Sequence, residues 1–105
     1  MATYQVLALE ALADPTRRSI FELLGEGPSS VVDITRHVPI SRPAVSQHLK
    51  VLKEARLVSV RPVGTRRIYG IDPAGVRAVR DYFSQFWTSA LAAYAQEAHA
   101  TKEEA

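Results

Sequence analysis

The apolar residues of this chain change their spacing at Ala55. Before Ala55 they recur every three or four positions, which is typical of helices that bury one face. After it, Leu57-Val58-Ser59-Val60-Arg61 alternates between apolar and polar side chains. A second run, Arg67-Ile68-Tyr69-Gly70-Ile71, follows the turn signal Val63-Gly64-Thr65. The pattern therefore predicts a helical region followed by a two-stranded antiparallel hairpin.

Capping residues divide the helical region. Asp14 before Pro15, then Ser30, then Ser41 each stand where a helix is expected to begin, because their short polar side chains satisfy free backbone N–H groups. The helices that follow are predicted to end near 25–28, at about His37 and at about Ala55, in that order.

Two further helices complete the prediction. An apolar stretch over 4–12 precedes Asp14, and the pair Asp72-Pro73 starts a long helix after the hairpin. The predicted fold is mainly α, of class α+β, in the order α-α-α-α-β-β-α. We expect one domain over 1–95 and a polar tail over 96–105 that frays.

Composition excludes several kinds of protein. The 105 residues contain no cysteine, which rules out disulfides, thiolate nucleophiles and cysteine-ligated metal sites. No apolar run approaches the ~20 residues that a membrane-spanning helix needs, and the first ten residues lack a signal-peptide pattern. We expect a cytoplasmic protein.

The charge is strongly polarised along the chain. Residues 36–67 contain eight basic residues and one acidic residue, Glu54, whereas the formal net charge of the whole chain is only +2. Such a basic block is typical of a nucleic-acid surface, although a charge run can also be a solvated face.

The segment Val38-Pro39-Ile40 joins two short predicted helices, which is the arrangement of a helix-turn-helix unit. Spacing of 100° per residue predicts that the second helix buries one arc and exposes the other. The buried arc comprises Ala44, Val45, His48, Leu49, Val51 and Leu52, and the exposed arc comprises Arg42, Pro43, Ser46, Gln47, Lys50, Lys53 and Glu54. Arg, Ser, Gln and Lys are residue types that read base edges, whereas the alternative is an ordinary amphipathic helix facing water.

Basic residues also mark the tip of the hairpin. Arg61, Arg66 and Arg67 stand beside Gly64, where a protruding loop can reach phosphates or the minor groove. Cationic hairpin tips also improve solubility. The prediction that these arginines contact DNA therefore rests on their occurrence together with the polar face of the preceding helix.

The chain resembles the bacterial ArsR-type winged helix-turn-helix repressors over residues 4–95. The resemblance is carried by residues 40–58 (ISRPAVSQHLKVLKEARLV), by Arg61 and 64–69 (GTRRIY), and by 12–18 (LADPTRR). It implies that the hairpin is the wing, that the protein is a homodimer held by its first and last helices, and that it binds an operator. In many members an inducer releases the DNA; for this chain no inducer is identified.

The resemblance and the residue chemistry together predict two groups of DNA contacts. On the recognition helix these are Ser41, Arg42, Pro43, Ser46, Gln47 and Lys50, with Ser46 and Gln47 at the base edges. On the wing they are Arg61, Thr65, Arg66 and Arg67.

The family's metal sites are missing from this sequence. Metal-sensing members carry a cysteine pair on the helix that here begins with Ser30, where this chain has Val31-Val32-Asp33. Other members pair Asp with His on the last helix, but Asp81 is followed by Tyr82 and Phe83. We expect no metal and no cofactor, including at the His99 and Glu103 pair in the tail.

The last predicted helix carries an apolar stripe that would leave a large exposed patch on a monomer. We expect it to form a dimer interface with the first helix, although part of it could instead cover the domain's own core. The predicted interface residues are Tyr4, Leu7, Val79, Phe83, Phe86, Trp87, Leu91 and Tyr94.

These features favour a homodimeric repressor that binds a near-palindromic DNA site, its own promoter being one candidate. Catalysis is not expected, because Ser46 and His48 point in different directions and no nucleophile elbow, phosphate loop or zinc-protease motif occurs. The alternative is a winged-helix module that contacts an acidic protein partner instead of DNA.

Overall fold

Five helices and one hairpin make up the structure, a computed structural model that describes the backbone of residues 3–104 and the side chains of 3–99. The elements are α1 (Thr3–Ala13), α2 (Pro15–Glu26), α3 (Val31–Thr35), α4 (Arg42–Glu54), β1 (Val58–Val63), β2 (Arg66–Ile71) and α5 (Pro73–Glu104). The predicted class and the order α-α-α-α-β-β-α are confirmed.

The three predicted N-caps are formed as expected. The Asp14 carboxylate accepts a hydrogen bond from the backbone N–H of Arg17 at 2.8 Å. Ser30 and Ser41 each accept one at 3.3 Å from the residue three positions later. Of the three helices that these residues cap, only α3 ends at a different place from the prediction. It stops at Thr35, and the chain continues as a turn through His37.

The start of α2 also caps the end of α1. Arg17 Nε donates to the Ala11 carbonyl at 2.7 Å, and Arg18 Nη1 lies 3.4 Å from the Leu12 carbonyl. The last carbonyls of a helix have no partner within the helix, and cations near them are favourable. The two arginines therefore hold α1 against α2.

One apolar core joins α1, α2, α3, α4 and the base of the hairpin. Its largest fully buried side chains are Ile20, Leu24, Ile34, Val45, Leu49, Leu52, Leu57 and Val58. Val51 was expected in the core but is 37% exposed. It lies about 120° around α4 from Val45 at the helical spacing of 100° per residue, outside the narrow arc that contacts the core.

The hairpin closes with a two-residue turn. Val63 pairs with Arg66, so Gly64 and Thr65 form the turn, and Gly64 has a positive φ of 63°. Tight hairpin turns that follow the strand twist require positive φ, which glycine adopts without steric cost. Both strands reach closer to the turn than predicted, and Pro62 lies within β1, opposite Arg67.

The start of α5 lies against the joint between α4 and β1. Arg56 forms this joint with a φ of 60°, and its carbonyl accepts a hydrogen bond from the N–H of buried Gly75 at 2.8 Å. The side chain of Gln5 in α1 donates a hydrogen bond of 3.4 Å to the carbonyl of Ala78, which lies further along α5. This bond links α1 to α5.

The helix α5 continues through Glu104, whereas we expected the tail over 96–105 to be frayed. Alanine and glutamate are frequent in this segment and both favour helix, so the sequence can extend the helix without tertiary support. Whether the segment frays in solution stays a prediction, and Met1, Ala2 and Ala105 lie outside the described residues.

Candidate nucleic-acid interface

The polar face of α4 is open to solvent. Val45, Leu49 and Leu52 are fully buried on one side of this helix. The opposite side exposes every residue that was predicted there: Arg42, Pro43, Ser46, Gln47, Lys50, Lys53 and Glu54. The exposed side chains include guanidinium, ammonium, amide and hydroxyl groups, which can donate to or accept from base edges and phosphates.

The connection from α3 fixes how α4 is presented. Val38 is buried, and its carbonyl accepts a hydrogen bond from the N–H of Ile40 at 2.8 Å. Ser41 then begins α4 with its hydroxyl engaged as the cap. The Ser41 side chain is exposed, but its oxygen already accepts the N–H of Ala44, which limits what else it can bind.

The three arginines of the hairpin lie on two different faces. Side chains alternate along a strand, and directly paired residues share a face. Because Arg61 pairs with Ile68 and Arg66 pairs with Val63, these two arginines share one face, and Arg67 lies on the other with Pro62. All three side chains are exposed, as is Thr65 in the turn.

Arg66 differs from the other two because it is bound to α3. Its Nη2 atom donates to the Ser30 hydroxyl at 2.8 Å and lies 3.0 Å from Asp33 Oδ2. Arg36 adds a second ion pair to Asp33 at 3.4 Å. A hydrogen bond with the Ser30 side chain, followed by the positive charge of Arg66, lowers the pKa of the Asp33 carboxyl below its usual value.

An apolar surface runs along α5 and the exposed side of α1. Phe83, Phe86, Trp87, Leu91 and Tyr94 of α5 are each more than half exposed, with Tyr94 at 71%, and Tyr4 and Leu7 of α1 are also exposed. The ring of Tyr82 stacks with Phe86 at a centroid distance of 6.4 Å and meets Phe83 edge-on at 5.5 Å.

Val79, one of the predicted interface residues, is half-buried and packs against the domain's own core. The predicted stripe therefore begins as core at Val79 and becomes free surface from Phe83 onward.

The described part of the chain contains no cluster of three or more His, Cys, Asp or Glu side chains that could hold a metal ion. The side chain of Glu103, which we paired with His99 in the sequence, lies outside the described residues. None of the described helices combines the length and the hydropathy needed to span a membrane.

Comparison with known proteins identifies the family. A model of the arsR family of bacterial regulatory proteins matches residues 14–60. The HTH-type transcriptional regulator Rv2034 of Mycobacterium tuberculosis is 57% identical over 98 residues, covering 91% of this chain and 92% of that protein. The chain belongs to the ArsR family. This ArsR-family chain is thus a transcriptional regulator with a winged helix-turn-helix fold, and its relatives are regulators rather than enzymes.

Two other relatives bear on how an ArsR-family chain acts. The transcriptional repressor SdpR of Bacillus subtilis is 46% identical over 50 residues, which is 48% of this chain and 56% of that protein. The solution structure of the homodimeric winged helix-turn-helix DNA-binding domain of Mb0332 from Mycobacterium bovis superposes with a TM-score of 0.62. It is 31% identical and covers 82% of this chain and 78% of that one.

Sequence reasoning missed the structural roles of Arg17, Asp33 and Gly75. In the sequence, Asp33 stands out only as part of the segment that lacks the family's cysteine pair, and Arg66 only as a predicted DNA contact. The position of Asp33 three residues after a helix cap was a visible signal, but its partner comes from a strand far away in sequence.

Proposed function

We propose that this ArsR-family regulator is a homodimeric repressor that binds a near-palindromic DNA operator through α4, with its own promoter as one candidate site. The observation that carries this proposal is the exposed polar face of α4, which stands opposite fully buried Val45, Leu49 and Leu52. A helix anchored in this way can enter the major groove without disturbing the core.

The proposed division of roles follows from side-chain chemistry. Ser46 and Gln47 would lie at base edges, with Arg42 and Lys50 contacting bases or adjacent phosphates. Ser41 and Pro43 at the start of α4 would approach the DNA backbone. On the wing, Arg61, Thr65 and Arg67 would hold phosphates, and Arg66 would lie near the DNA on the same face of the hairpin as Arg61.

The proposed dimer interface is the exposed apolar surface of α1 and α5. Tyr4, Leu7 and the aromatic side chains of α5 form a patch that isolated soluble domains seldom expose. Covering this patch with a second copy would bring two recognition helices to one face, about 34–36 Å apart, which suits a palindromic site. The homodimeric state of the Mycobacterium bovis domain supports this arrangement.

Repression is proposed because SdpR is a repressor and because a dimer on an operator blocks access to the DNA beneath it. Such a regulator works where the DNA is, which for a bacterial protein is the cytoplasm. We assign no metal, cofactor or inducer to it.

The test is a selection of genomic DNA fragments on the purified protein, followed by titration of the selected duplex at several salt concentrations. A dimeric binder should retain fragments with inverted repeats, sediment as two subunits, and lose affinity steeply as salt rises. Absence of duplex binding at low salt would overturn the proposal in favour of a winged-helix protein-interaction module.

A further inference from the structure

The hairpin is attached to the beginning of α3 at two points. At its base, the backbones of Ser29 and Tyr69 exchange hydrogen bonds of 2.9 and 2.8 Å. Close to its turn, the Arg66 side chain binds the Ser30 hydroxyl and the Asp33 carboxylate. Both attachments come from β2, at positions separated by about 10 Å of extended strand.

Two attachments restrict the hairpin more than one does. With the Ser29–Tyr69 pair alone, the outer part of the hairpin could swing about its base, since residues 61–67 are all exposed. The bonds of Arg66 hold the outer part as well. Because α3 packs directly against α4, they also set the direction of the hairpin relative to the polar face of α4.

The acceptor capacity of the Ser30 hydroxyl is fully used in the contact with Arg66. Ser30 is only 5% exposed, and its oxygen accepts from both the Asp33 N–H and the Arg66 guanidinium, which uses both lone pairs of the hydroxyl. Arg61 and Arg67, in contrast, have no side-chain hydrogen bond or ion pair with any residue in the described part of the chain. Those two guanidinium groups are available to an external ligand.

We propose that Arg66 is a positioning residue for DNA binding, whose bonds to Asp33 and Ser30 hold the wing in place relative to α4. The phosphate contacts of the wing then come from Arg61 and Arg67. This inference rests on the proposed DNA-binding function and assigns a role in it to Asp33, an acidic residue that a charge argument alone would count against DNA binding.

Asp33 gives the decisive experiment because the two explanations predict opposite signs. If Asp33 only adds negative charge near the DNA, Asp33→Ala should tighten binding. If it positions the wing through Arg66, Asp33→Ala should weaken binding of the selected duplex roughly two- to fivefold, the range expected for an exposed ion pair. Glu54→Ala, which removes an exposed carboxylate from α4, is the matched control and should not weaken binding.

Three further variants complete the set: Arg66→Gln, the double variant that combines Asp33→Ala with Arg66→Gln, and Arg67→Gln. The double variant should bind no more weakly than Arg66→Gln alone, because both substitutions break the same contact. The dependence of log affinity on log salt should stay unchanged in Arg66→Gln, whereas in Arg67→Gln its slope should fall by about one for a lost phosphate contact.

Backbone order parameters of the free protein provide a readout without DNA. Asp33→Ala and Arg66→Gln should lower the order parameters of residues 63–67, and Arg67→Gln should not. Tighter binding by Asp33→Ala, a reduced salt slope in Arg66→Gln, or unchanged order parameters would overturn the inference. If the unsubstituted protein binds no duplex, the proposed function fails, and the order parameters still report on the contact itself.

Discussion

Gly75 and Arg56 are in direct backbone contact: the Gly75 N–H donates to the Arg56 carbonyl at 2.8 Å. A Cβ atom added to Gly75 would lie 2.3 Å from that oxygen and 2.6 Å from the carbonyl carbon. These atoms belong to the backbone and cannot rotate away. The contact therefore joins the start of the long helix α5 to the point where the recognition helix ends and the wing begins.

We expect Gly75→Ala to destabilise the protein by at least the ~1–3 kcal/mol that is typical of overpacking, because backbone atoms must shift to admit the methyl group. The free energy of unfolding from urea denaturation measures this. Gly25→Ala is the control, since nothing lies within 4 Å of its added Cβ and the site is helical. That variant should be neutral or up to ~1 kcal/mol more stable. Equal effects of the two substitutions would contradict the expectation that the close approach of Arg56 leaves no room for a side chain at Gly75.

Gln47→Ala should change which sequences the protein prefers. Loss of one bidentate contact to a base is expected to reduce discrimination at one position of each half-site by ~1–3 kcal/mol, with little effect on binding to random duplexes. Arg67→Ala should instead weaken binding to all duplexes alike. Competition of selected and scrambled duplexes measures both effects. Uniform losses in both variants would refute the separation of base and phosphate contacts.

Trp87→Glu should convert the dimer to a monomer, because it places a charge in the centre of the apolar surface of α5, where the indole is 60% exposed in the single chain. Sedimentation equilibrium measures the mass, and operator affinity should fall with it. Ala92→Glu adds the same charge about 140° around the same helix at 100° per residue and should leave the mass unchanged. A dimeric Trp87→Glu protein would place the interface elsewhere.

Acidification below about pH 4, near the usual pKa of Asp, should lower stability. The backbone N–H of Arg17 lowers the pKa of Asp14, and the hydrogen bond with Ser30 lowers that of Asp33, relative to the unfolded chain. A depressed pKa in the folded state stabilises the protein above the unfolded pKa, and this contribution disappears as the pH falls through the folded value.

Thermal unfolding midpoints between about pH 2 and pH 6 test this expectation. Asp14→Asn keeps a capping oxygen but cannot titrate, so its midpoint should depend less on pH across this range. If Asp14→Asn shows the same pH dependence as the unsubstituted protein, Asp14 does not contribute to the acid transition.

Much of the fold could be predicted from short stretches of the chain. Asp14, Ser30 and Ser41 act on backbone groups only a few residues away, so their roles as caps depend on local sequence and are confirmed in the structure. The exposed face of α4 follows from helical spacing for the same reason. Its function as a DNA contact is a prediction that binding experiments must test.

Other features depend on how the elements pack, and local sequence does not contain that information. The guanidinium of Arg66 has the chemistry of a phosphate contact, yet it is held by Asp33. Asp33 lies 33 positions earlier in the chain, and only the folding of the hairpin onto α3 brings the two residues together. Val51 and Val79 fit apolar periodic patterns, but the direction of each helix axis decides whether they reach the core. Spacing along the chain thus determined the elements and their polar and apolar faces, whereas tertiary packing decided which of those side chains found partners within the protein and which stayed free.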